Sequence, residues 1–323
     1  MTGRSPANRP VVVVLEGDAP ATGLDEVAAD DDLVTTDAAG LPEALTRADA
    51  LLLWDFFSED AAAHLSRAVP PRLDWIHVAA AGVDAILTPA VVASSVRVTN
   101  AAGVFDRPIA EYVLACVSAH AKQLPRTLDR QRERVWRQRV TTNLAGLRVV
   151  VLGAGGIGRE TRRLLTAVGM SVRLVARTAR DTPDGPVAAL SSLPALLAEA
   201  DVFVVALPAT AETERIIDAQ TIAALRPHCL FVNVGRGRTV DEDALRAALR
   251  DDRLGGAVLD AFEVEPLPED DPLWSDPRVI ISPHTSSRTD GWRERLIDQF
   301  LSQYRPWRAG APMSALVDKA RGY

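Results

Sequence analysis

Residues 144–178 read LAGLRVVVLGAGGIGRETRRLLTAVGMSVRLVART, and the rest of the chain is organised around this stretch. An apolar run at 149–152 leads into the turn GAGGIG at 153–158. Apolar residues then recur at helical spacing as far as Val168, and Gly169 is placed to end that helix. Residues 171–176 have the pattern of a second strand. The stretch therefore predicts a strand, a glycine-rich turn, a helix and a strand, in that order.

This order of elements around G-x-G-x-x-G is the sequence context of a dinucleotide-binding fingerprint. The first glycine allows a tight turn, the second lets the backbone approach a pyrophosphate, and the third lets the helix pack on the strand. The phosphates would lie at the helix N-terminus, where free N–H groups and the helix dipole favour negative charge. The alternative is a glycine-rich turn that serves only as a turn. The residues predicted to bind this part of a cofactor are Gly153, Gly155, Gly156, Ile157 and Gly158.

The end of the second predicted strand indicates which dinucleotide is bound. An acidic residue at this point binds the ribose 2′-hydroxyl of NAD, but here Ala176 is followed by Arg177, Thr178, Ala179 and Arg180. A guanidinium presents a planar fork that suits phosphate oxygens. We therefore predict that Arg177, Thr178 and Arg180 select the 2′-phosphate of NADP(H), with NAD(H) as the alternative cofactor. The competing interpretation is that the arginines are solvated surface charges.

Composition limits the classes of protein to which the chain can belong. At 323 residues two domains are expected, and 47% hydrophobic with 24% charged residues is typical of a soluble globular protein. The net charge of −7 argues against nucleic acid or a membrane surface as partner. No apolar run reaches membrane-spanning length, and the run at 11–15 is too short for a signal peptide.

The two cysteines, Cys116 and Cys229, lie in apolar surroundings without C-x-x-C spacing or a histidine cluster. They predict reduced, buried thiols in a cytoplasmic protein, with neither a disulfide framework nor a metal site.

Short apolar strands alternate with helical patterns along the chain, which predicts parallel sheets covered by helices. The expected strands lie at 11–16, 33–35, 50–54, 75–79 and 96–99, then at 149–152, 171–176, 202–207, 230–234, 257–260 and 279–282. Further helices are expected after Asp106 and over 192–199, 212–225 and 241–250. The helix that starts near Gly291 is expected to return to the first domain. The segment 126–139 is dense in Arg and Gln and reads as a solvated face, although its Trp136 could pack on a second subunit.

Three polar residues follow predicted strand ends in the second half of the chain, on the side where the cofactor turn also opens. Arg236 suits the binding of a substrate carboxylate, and His284 suits protonation of a carbonyl oxygen near neutral pH. Glu265 suits orientation of the imidazole and favours its charged form. Each residue alone has a simpler explanation as a surface charge, a loop histidine or a solvent-facing acid. Their convergence at one edge predicts reduction of a 2-keto acid.

The motifs NVGRG at 233–237, LDAFEVEP at 259–266 and SPH at 282–284 resemble those of the D-isomer-specific 2-hydroxyacid dehydrogenases. The glycine fingerprint, GVD at 82–84, Asn100 and Ala110-Glu111 fit the same family. The resemblance covers nearly the whole chain. It implies an α/β protein with a Rossmann cofactor domain, residues 101–286, inserted into a flavodoxin-like substrate domain formed by 1–100 and 287–323. A homodimer is implied as well.

The resemblance also implies roles for individual residues. Arg236 corresponds to the substrate-anchoring arginine, His284 to the acid/base and Glu265 to its partner. The residues implied to bind substrate are Trp54, Ala81, Gly82 and Val83, together with Arg236 and His284. Further positions implied to line the cofactor are Leu207, Pro208, Thr213, Val234, Gly235, Asp260 and Ser286.

Within the family, Trp54, the Arg177-Thr178 pair and the tail at 317–323 most resemble NADPH-dependent glyoxylate/hydroxypyruvate reductases. The prediction is therefore hydride transfer from NADPH to a small 2-keto acid, giving the D-2-hydroxy acid. The alternative is a non-catalytic NAD(P)-sensing protein of the same fold, similar to corepressors, and the intact Arg/Glu/His trio argues against it. A relative acting on formate or phosphite ranks low, because such sites resemble a pattern with Gln in place of Glu265.

Overall fold

The computed structural model describes residues 9–56 and 58–323. Residues 1–8 and Phe57, which the sequence assigned to the first domain, lie outside the described residues. The chain divides into two compact units. One comprises the described residues up to Val104 together with Thr289–Tyr323, and the other comprises Phe105–Arg288. Each unit has its own parallel sheet.

Twelve strands lie within the described residues. They are β1 (Val11–Leu15), β2 (Asp32–Thr36), β3 (Ala50–Leu53), β4 (Trp75–Val78), β5 (Arg97–Asn100), β6 (Arg148–Leu152), β7 (Ser171–Ala176), β8 (Val187–Ala189), β9 (Val202–Val205), β10 (Leu230–Asn233), β11 (Gly256–Leu259) and β12 (Val279–Ile281). The α-helices are α1 (Asp25–Asp30), α2 (Leu41–Leu45), α3 (Asp60–Leu65), α4 (Pro89–Ala93), α5 (Asp106–Ala121), α6 (Leu124–Glu133), α7 (Gly156–Ala167), α8 (Leu193–Leu197), α9 (Ala219–Ala223), α10 (Glu242–Arg250) and α11 (Trp292–Arg308).

The first unit has a five-stranded parallel sheet in the order β2-β1-β3-β4-β5. This is the flavodoxin-like order of a doubly wound sheet. Its inner strands β1 and β3 are continuous apolar runs, as expected of strands that are covered on both faces. Helix α11 contributes to the same core, where Phe300 stacks on Trp75 with ring centroids 5.2 Å apart. In that helix Tyr304 donates a hydrogen bond to Asp31 at 2.7 Å.

The second unit has a seven-stranded parallel sheet in the order β12-β11-β10-β9-β6-β7-β8. Counted from β6, this is the Rossmann order with one additional strand. The strand order reverses between β6 and β9, and dinucleotides bind at such a switch point. The predicted fold class, two doubly wound parallel-sheet units, is confirmed.

One helix differs from its prediction. The helical pattern over 212–225 forms a helix only at Ala219–Ala223, where the Asp218 side chain accepts a hydrogen bond from the N–H of Thr221 and caps the start. The preceding residues form a turn that is held by side-chain hydrogen bonds of Thr213. The three-residue edge strand β8 was not predicted, because so short a segment carries no clear periodicity.

The charged segment after α5 is partly helical. Helix α5 ends at Ala121, Gln123 takes a left-handed backbone conformation, and α6 follows without a single buried residue. The exposed helix agrees with the solvated face that the sequence predicted. None of the helices within the described ranges combines the length and apolar character needed to span a bilayer.

Candidate active site

The glycine-rich turn joins β6 to α7 in the second unit, and its glycines are required for different reasons. A side chain at Gly153, where φ is +119°, would collide with the carbonyl oxygen of Ala206 at the end of β9. A side chain at Gly158 would collide with the carbonyl oxygen of Gly153, so these two glycines permit close backbone packing. Gly155 faces open space, with nothing within 4 Å of its added Cβ.

The N-terminus of α7 is available to an anion. Gly155 is its N-cap residue and has no side chain to cap the helix, and the Asp106 carboxylate lies beside the next residue, Gly156. Helix N-terminal N–H groups without a cap bind phosphate readily, because they are donors without an acceptor at the positive end of the helix dipole. Open space over Gly155 and an uncapped helix therefore fit a dinucleotide pyrophosphate.

The end of β7 carries the predicted Arg177 and Thr178. Both lie on the surface, and the Arg177 guanidinium pairs with the carboxylate of Glu212, a contact that the sequence analysis did not predict. Arg180 extends the chain toward β8, where its N–H donates to the carbonyl of Val187 at 3.1 Å. The end of this strand therefore presents two exposed arginines, one of which is paired with a carboxylate.

The loop after β9 contains the predicted Leu207, Pro208 and Thr213. The Thr213 hydroxyl donates to the Pro208 carbonyl at 2.7 Å and accepts from the N–H of Thr210 at 2.8 Å. Thr213 therefore folds this loop onto itself. The loop also lies close to the predicted Gly235, because a Cβ there would approach the Leu207 carbonyl oxygen to 2.6 Å.

Arg236 stands directly after β10, in a turn that Asn233 organises. The Asn233 side chain accepts from the N–H of Gly235 at 3.0 Å and donates to the Arg236 carbonyl at 3.2 Å. The Thr239 hydroxyl donates to the same carbonyl at 2.6 Å. The sequence analysis did not single out Asn233 or Thr239, although Asn233 is the first residue of the NVGRG motif.

His284 and Glu265, which come from the loops after β12 and β11, form a hydrogen-bonded pair. Nδ1 of His284 lies 2.9 Å from Oε2 and 3.2 Å from Oε1 of Glu265. Glu265 also accepts from the N–H of Phe262 at 2.9 Å. The ring geometry then turns Nε2 of His284 away from the carboxylate.

The electrostatics of this pair favour an ionised carboxylate. Burial alone would raise the pKa of Glu265, but the hydrogen bonds from His284 and Phe262 and the positive charge of Arg236 lower the pKa below its ordinary value. Arg236 is therefore near enough to act on the His284–Glu265 pair. The structure brings together the three side chains that the sequence predicted as a catalytic group.

Asp260 ends β11 and is buried, with 2% of its surface exposed. Its carboxylate accepts hydrogen bonds from the hydroxyl of Ser282 and from the N–H groups of Thr285 and Ser286. Asp260 thus contacts the loop that carries His284. The predicted cofactor residue Ser286 is buried in the same loop, and Val234 is buried beside Arg236.

The four remaining predicted substrate residues belong to the first unit. Trp54 follows β3 and donates from its indole to the Ala19 carbonyl at 2.9 Å. Ala81 lies after β4, where its carbonyl accepts from the Asn100 side chain at 2.7 Å. Val83 is buried, and Gly82 is partly exposed. Trp307 of α11, by contrast, is 1% exposed and belongs to the core of the first unit.

The cysteines and metal-ligating residues form no further site in the part of the chain that the structure describes. Cys116 and Cys229 are free and buried. Residues 9–56 and 58–323 contain no cluster of three or more His, Cys, Asp or Glu side chains arranged to hold a metal ion.

The Rossmann strand order, the open glycine turn at its switch point and the His–Glu pair at the carboxyl ends of strands in the same sheet define a dehydrogenase that uses a nicotinamide dinucleotide. The family model for the NAD-binding domain of D-isomer specific 2-hydroxyacid dehydrogenases matches residues 114–286, which is more than half of the chain. The chain belongs to this family, and the resemblance seen in the sequence is confirmed.

Individual relatives agree with the family assignment. Glyoxylate/hydroxypyruvate reductase A of Yersinia enterocolitica is 29% identical over 85% of this chain and 88% of its own length. A D-isomer specific 2-hydroxyacid dehydrogenase of Xanthobacter autotrophicus, solved with NADPH and MES, has a TM-score of 0.83 and 32% identity over 98% of this chain and 100% of that chain. The NADPH-dependent glyoxylate/hydroxypyruvate reductase of Sinorhizobium meliloti, solved with NADP and sulfate, has a TM-score of 0.84 and 26% identity over the same shares of the two chains.

Proposed function

We propose that this protein reduces a small 2-keto acid of the glyoxylate or hydroxypyruvate type to the D-2-hydroxy acid, using NADPH. The observation that carries the proposal is the contact of His284 Nδ1 with Glu265 Oε2 at 2.9 Å, within the electrostatic reach of Arg236. An imidazole held by a carboxylate near a guanidinium supplies an acid, its partner and an anion anchor. A protein that only senses the nucleotide needs none of these groups.

Arg236 binds the substrate. Its guanidinium takes the keto-acid carboxylate through two parallel hydrogen bonds, and its charge polarises the adjacent carbonyl group. The Asn233 and Thr239 bonds to the Arg236 carbonyl hold the backbone from which that side chain extends. Substrates without a carboxylate lose this anchor.

His284 supplies the proton of the reduction. Glu265 holds Nδ1, so Nε2–H is the group left to donate to the carbonyl oxygen. NADPH, when bound, provides the hydride that reduces the carbonyl carbon. The proton from Nε2 then converts the carbonyl oxygen to the hydroxyl of the product, and His284 is left neutral until solvent reprotonates it.

The residues around the glycine turn and the end of β7 would hold the cofactor. Gly155 and the N-terminus of α7 would hold the pyrophosphate. Arg177, Thr178 and Arg180 bind the 2′-phosphate, which makes NADP(H) the preferred cofactor and NAD(H) the weaker one. Support comes from the absence of an acid at 176–180 and from the relatives solved with NADP or NADPH. We retain Leu207, Pro208, Thr213, Val234, Gly235, Asp260 and Ser286 as further cofactor residues.

Trp54, Ala81, Gly82 and Val83 are proposed to complete the substrate site. The Asn100 bond to the Ala81 carbonyl holds the small-residue turn after β4, so that its backbone N–H groups can meet an anionic substrate. The apolar ring of Trp54 would limit the size of the substituent on the keto acid.

A turnover assay tests this function. Purified protein is mixed with NADPH and, separately, glyoxylate, hydroxypyruvate, pyruvate and an aldehyde without a carboxylate, and the loss of nicotinamide absorbance is followed. We expect turnover with at least one of the first two acids and none with the aldehyde. NADPH binding by titration without turnover of any keto acid would contradict the proposal and support a nucleotide sensor. The matched variant Arg236→Ala should raise KM and lower kcat together.

We further propose that the protein is a homodimer formed through the segment 124–140, which we name the arm. The side chain of Trp136 is 97% exposed and that of Val140 is 90% exposed. The arm is nonetheless ordered, because the Thr142 N–H donates to the Ala121 carbonyl and the Arg139 side chain donates to the carbonyl of Gln123. An ordered segment that displays a tryptophan fits a surface covered by a second copy of the chain.

We also propose a cytoplasmic location. Both cysteines are free and buried, which fits a reducing compartment where no disulfide is selected. Cell fractionation with antibody detection tests this, and recovery of the protein in a secreted or membrane fraction would contradict it.

A further inference from the structure

The hydrogen bonds around Asp260 tie the loop at 282–286, here named the histidine loop, to the end of β11. The Asp260 carboxylate accepts from the Ser282 hydroxyl at 2.5 Å, from the Thr285 N–H at 2.9 Å and from the Ser286 N–H at 3.1 Å. The Asp260 carbonyl accepts from the N–H of His284 at 3.0 Å. Both the side chain and the backbone of one buried residue therefore close the loop that carries the proposed acid.

A second side chain reaches this cluster from helix α5. The Tyr112 hydroxyl oxygen lies 2.6 Å from the hydroxyl oxygen of Ser282. The single proton of the Ser282 hydroxyl is donated to the Asp260 carboxylate, which already accepts two backbone N–H groups on its oxygens. Tyr112 must then be the donor to Ser282. The result is a chain of donated hydrogen bonds from Tyr112 through Ser282 to Asp260.

The histidine loop needs such support, because His284 takes a left-handed backbone conformation with φ of +52°. A non-glycine residue in this region is energetically unfavourable and persists only where its surroundings determine it. Burial raises the pKa of Tyr112, so its hydroxyl keeps its proton and remains a donor throughout the neutral range.

We propose that Tyr112 and Ser282 are positioning residues for His284. Their hydrogen bonds hold the Asp260 carboxylate where it closes the histidine loop, and this holds His284 against Glu265. The proposal rests on the proposed function for its kinetic test but not for its structural one. Neither Tyr112 nor Ser282 is among the residues proposed to contact the substrate.

The test compares Tyr112→Phe with a matched control, Tyr304→Phe. Tyr304 donates to Asp31 at 2.7 Å in the other unit, so the control also removes one side-chain hydrogen bond of a tyrosine hydroxyl, far from the histidine loop in the chain. Amide hydrogen exchange of residues 282–288 is measured first, because it needs no turnover. We expect exchange at Thr285 and Ser286 to rise about fivefold in Tyr112→Phe, the effect of one hydrogen bond, and to stay unchanged in Tyr304→Phe.

Kinetics with NADPH and its 4-deuterated form provide the second measurement. In Tyr112→Phe we expect kcat to fall about fivefold with KM for the keto acid changed less than about twofold, and the deuterium isotope effect on kcat to rise. Ser282→Ala should lower kcat about tenfold or more, since a bond to a charged acceptor is lost. Ser282→Thr keeps the hydroxyl and should restore most of the rate.

Two results would overturn the proposal. Equal exchange in the histidine loop of wild type and Tyr112→Phe would show that the chain of bonds does not hold the loop. Equal kcat losses and unchanged isotope effects in Tyr112→Phe and Tyr304→Phe would show a general loss of stability. If the wild type turns over no keto acid, the proposed function fails, while the exchange comparison still decides the positioning role.

Discussion

His284 and Glu265 lie on different loops, yet one carboxylate holds the imidazole through contacts of 2.9 and 3.2 Å. This contact orients the imidazole of His284 and also places the negative charge of Glu265 beside it. The lowered pKa of Glu265 means that the carboxylate remains ionised below the ordinary carboxyl range and accepts a hydrogen bond from the Nδ1–H of His284.

The variant Glu265→Gln distinguishes the effect of the negative charge of Glu265 from the effect of its side-chain size. The amide preserves the size of the side chain but removes the negative charge, so we expect kcat to fall about 10²-fold with a small change in KM. Steady-state kinetics with a saturating keto acid check this. Glu263→Gln serves as the control, because Glu263 pairs with Arg215 rather than with His284. A Glu265→Gln enzyme with wild-type kcat would remove Glu265 from the proton-transfer step.

A second prediction for a single residue concerns His77 in the first unit. It is completely buried, its Nδ1 contacts the Thr99 hydroxyl at 2.8 Å, and its Nε2 has no hydrogen-bond partner within the described chain. Burial lowers the pKa of His77 to about 3. The folded protein therefore keeps His77 neutral, while the unfolded chain binds a proton below a pH of about 6.5.

The sign of the resulting pH dependence follows from this difference. Stability is complete above pH 6.5 and is lost as the pH falls toward 3, by about 2 kcal/mol at pH 5. Urea unfolding of wild type and His77→Asn at pH 7.5 and pH 5 measures the effect, and the variant should lose less stability on acidification. His228→Asn, at an exposed histidine, is the control variant. Equal acid losses in wild type and His77→Asn would contradict the assignment.

The sheet edge is the element that brings the site together. Arg236, Glu265 and His284 are far apart in sequence but follow β10, β11 and β12, which are adjacent in the sheet. Sequence patterns predicted this because parallel strands end at one edge. They did not predict the Asp260 bonds or the Arg177–Glu212 pair, since such contacts depend on loop conformation rather than on periodicity.

The limits of the sequence analysis are visible in two elements. The pattern at 212–225 contains helix formers, but Thr213 hydrogen-bonds its own loop and Asp218 starts the helix only at Ala219. Local side-chain bonds to the backbone compete with helix formation in this way. By contrast β6 and α7 were predicted closely, because an unbroken apolar run and a glycine turn leave few alternatives.

Substitutions in the glycine turn test the account at the scale of one structural element. Gly155→Ala adds a methyl group to open space at a negative φ, so we expect an unchanged melting temperature but NADPH binding weakened about tenfold or more. Gly158→Ala instead meets the Gly153 carbonyl and should destabilise the fold itself. Thermal unfolding and NADPH titration of both variants distinguish the two effects. Full NADPH affinity in Gly155→Ala would place the pyrophosphate elsewhere.

At the scale of the whole molecule, composition and net charge indicated a globular protein with a small-molecule partner, and the family assignment agrees with an enzyme of this kind. In the structure of a single chain, an oligomeric state is indicated by exposed apolar surface. In the arm this surface is formed by Leu124 and Leu128 on α6 and by Trp136 and Val140 beyond the helix.

Trp136→Asp tests the proposed dimer. A charge in the centre of an apolar interface should separate the subunits, because desolvation of a carboxylate outweighs the remaining contacts. We expect light scattering after size exclusion to give the mass of two chains for wild type and of one chain for the variant. Trp274→Asp, at a tryptophan that is also more than half exposed, should leave the mass unchanged. A monomeric wild type would rule out the arm as a dimer interface.

The central claim is that Arg236, His284 and the nicotinamide ring act on one small molecule. A crystal structure with NADP⁺ and oxalate, an unreactive mimic of a 2-keto acid, measures this most directly. The account predicts one oxalate carboxylate on the Arg236 guanidinium, an oxygen of the other within hydrogen-bond distance of His284 Nε2, and the nicotinamide C4 beside it. Oxalate bound away from His284, or a nucleotide bound away from the glycine turn, would contradict it.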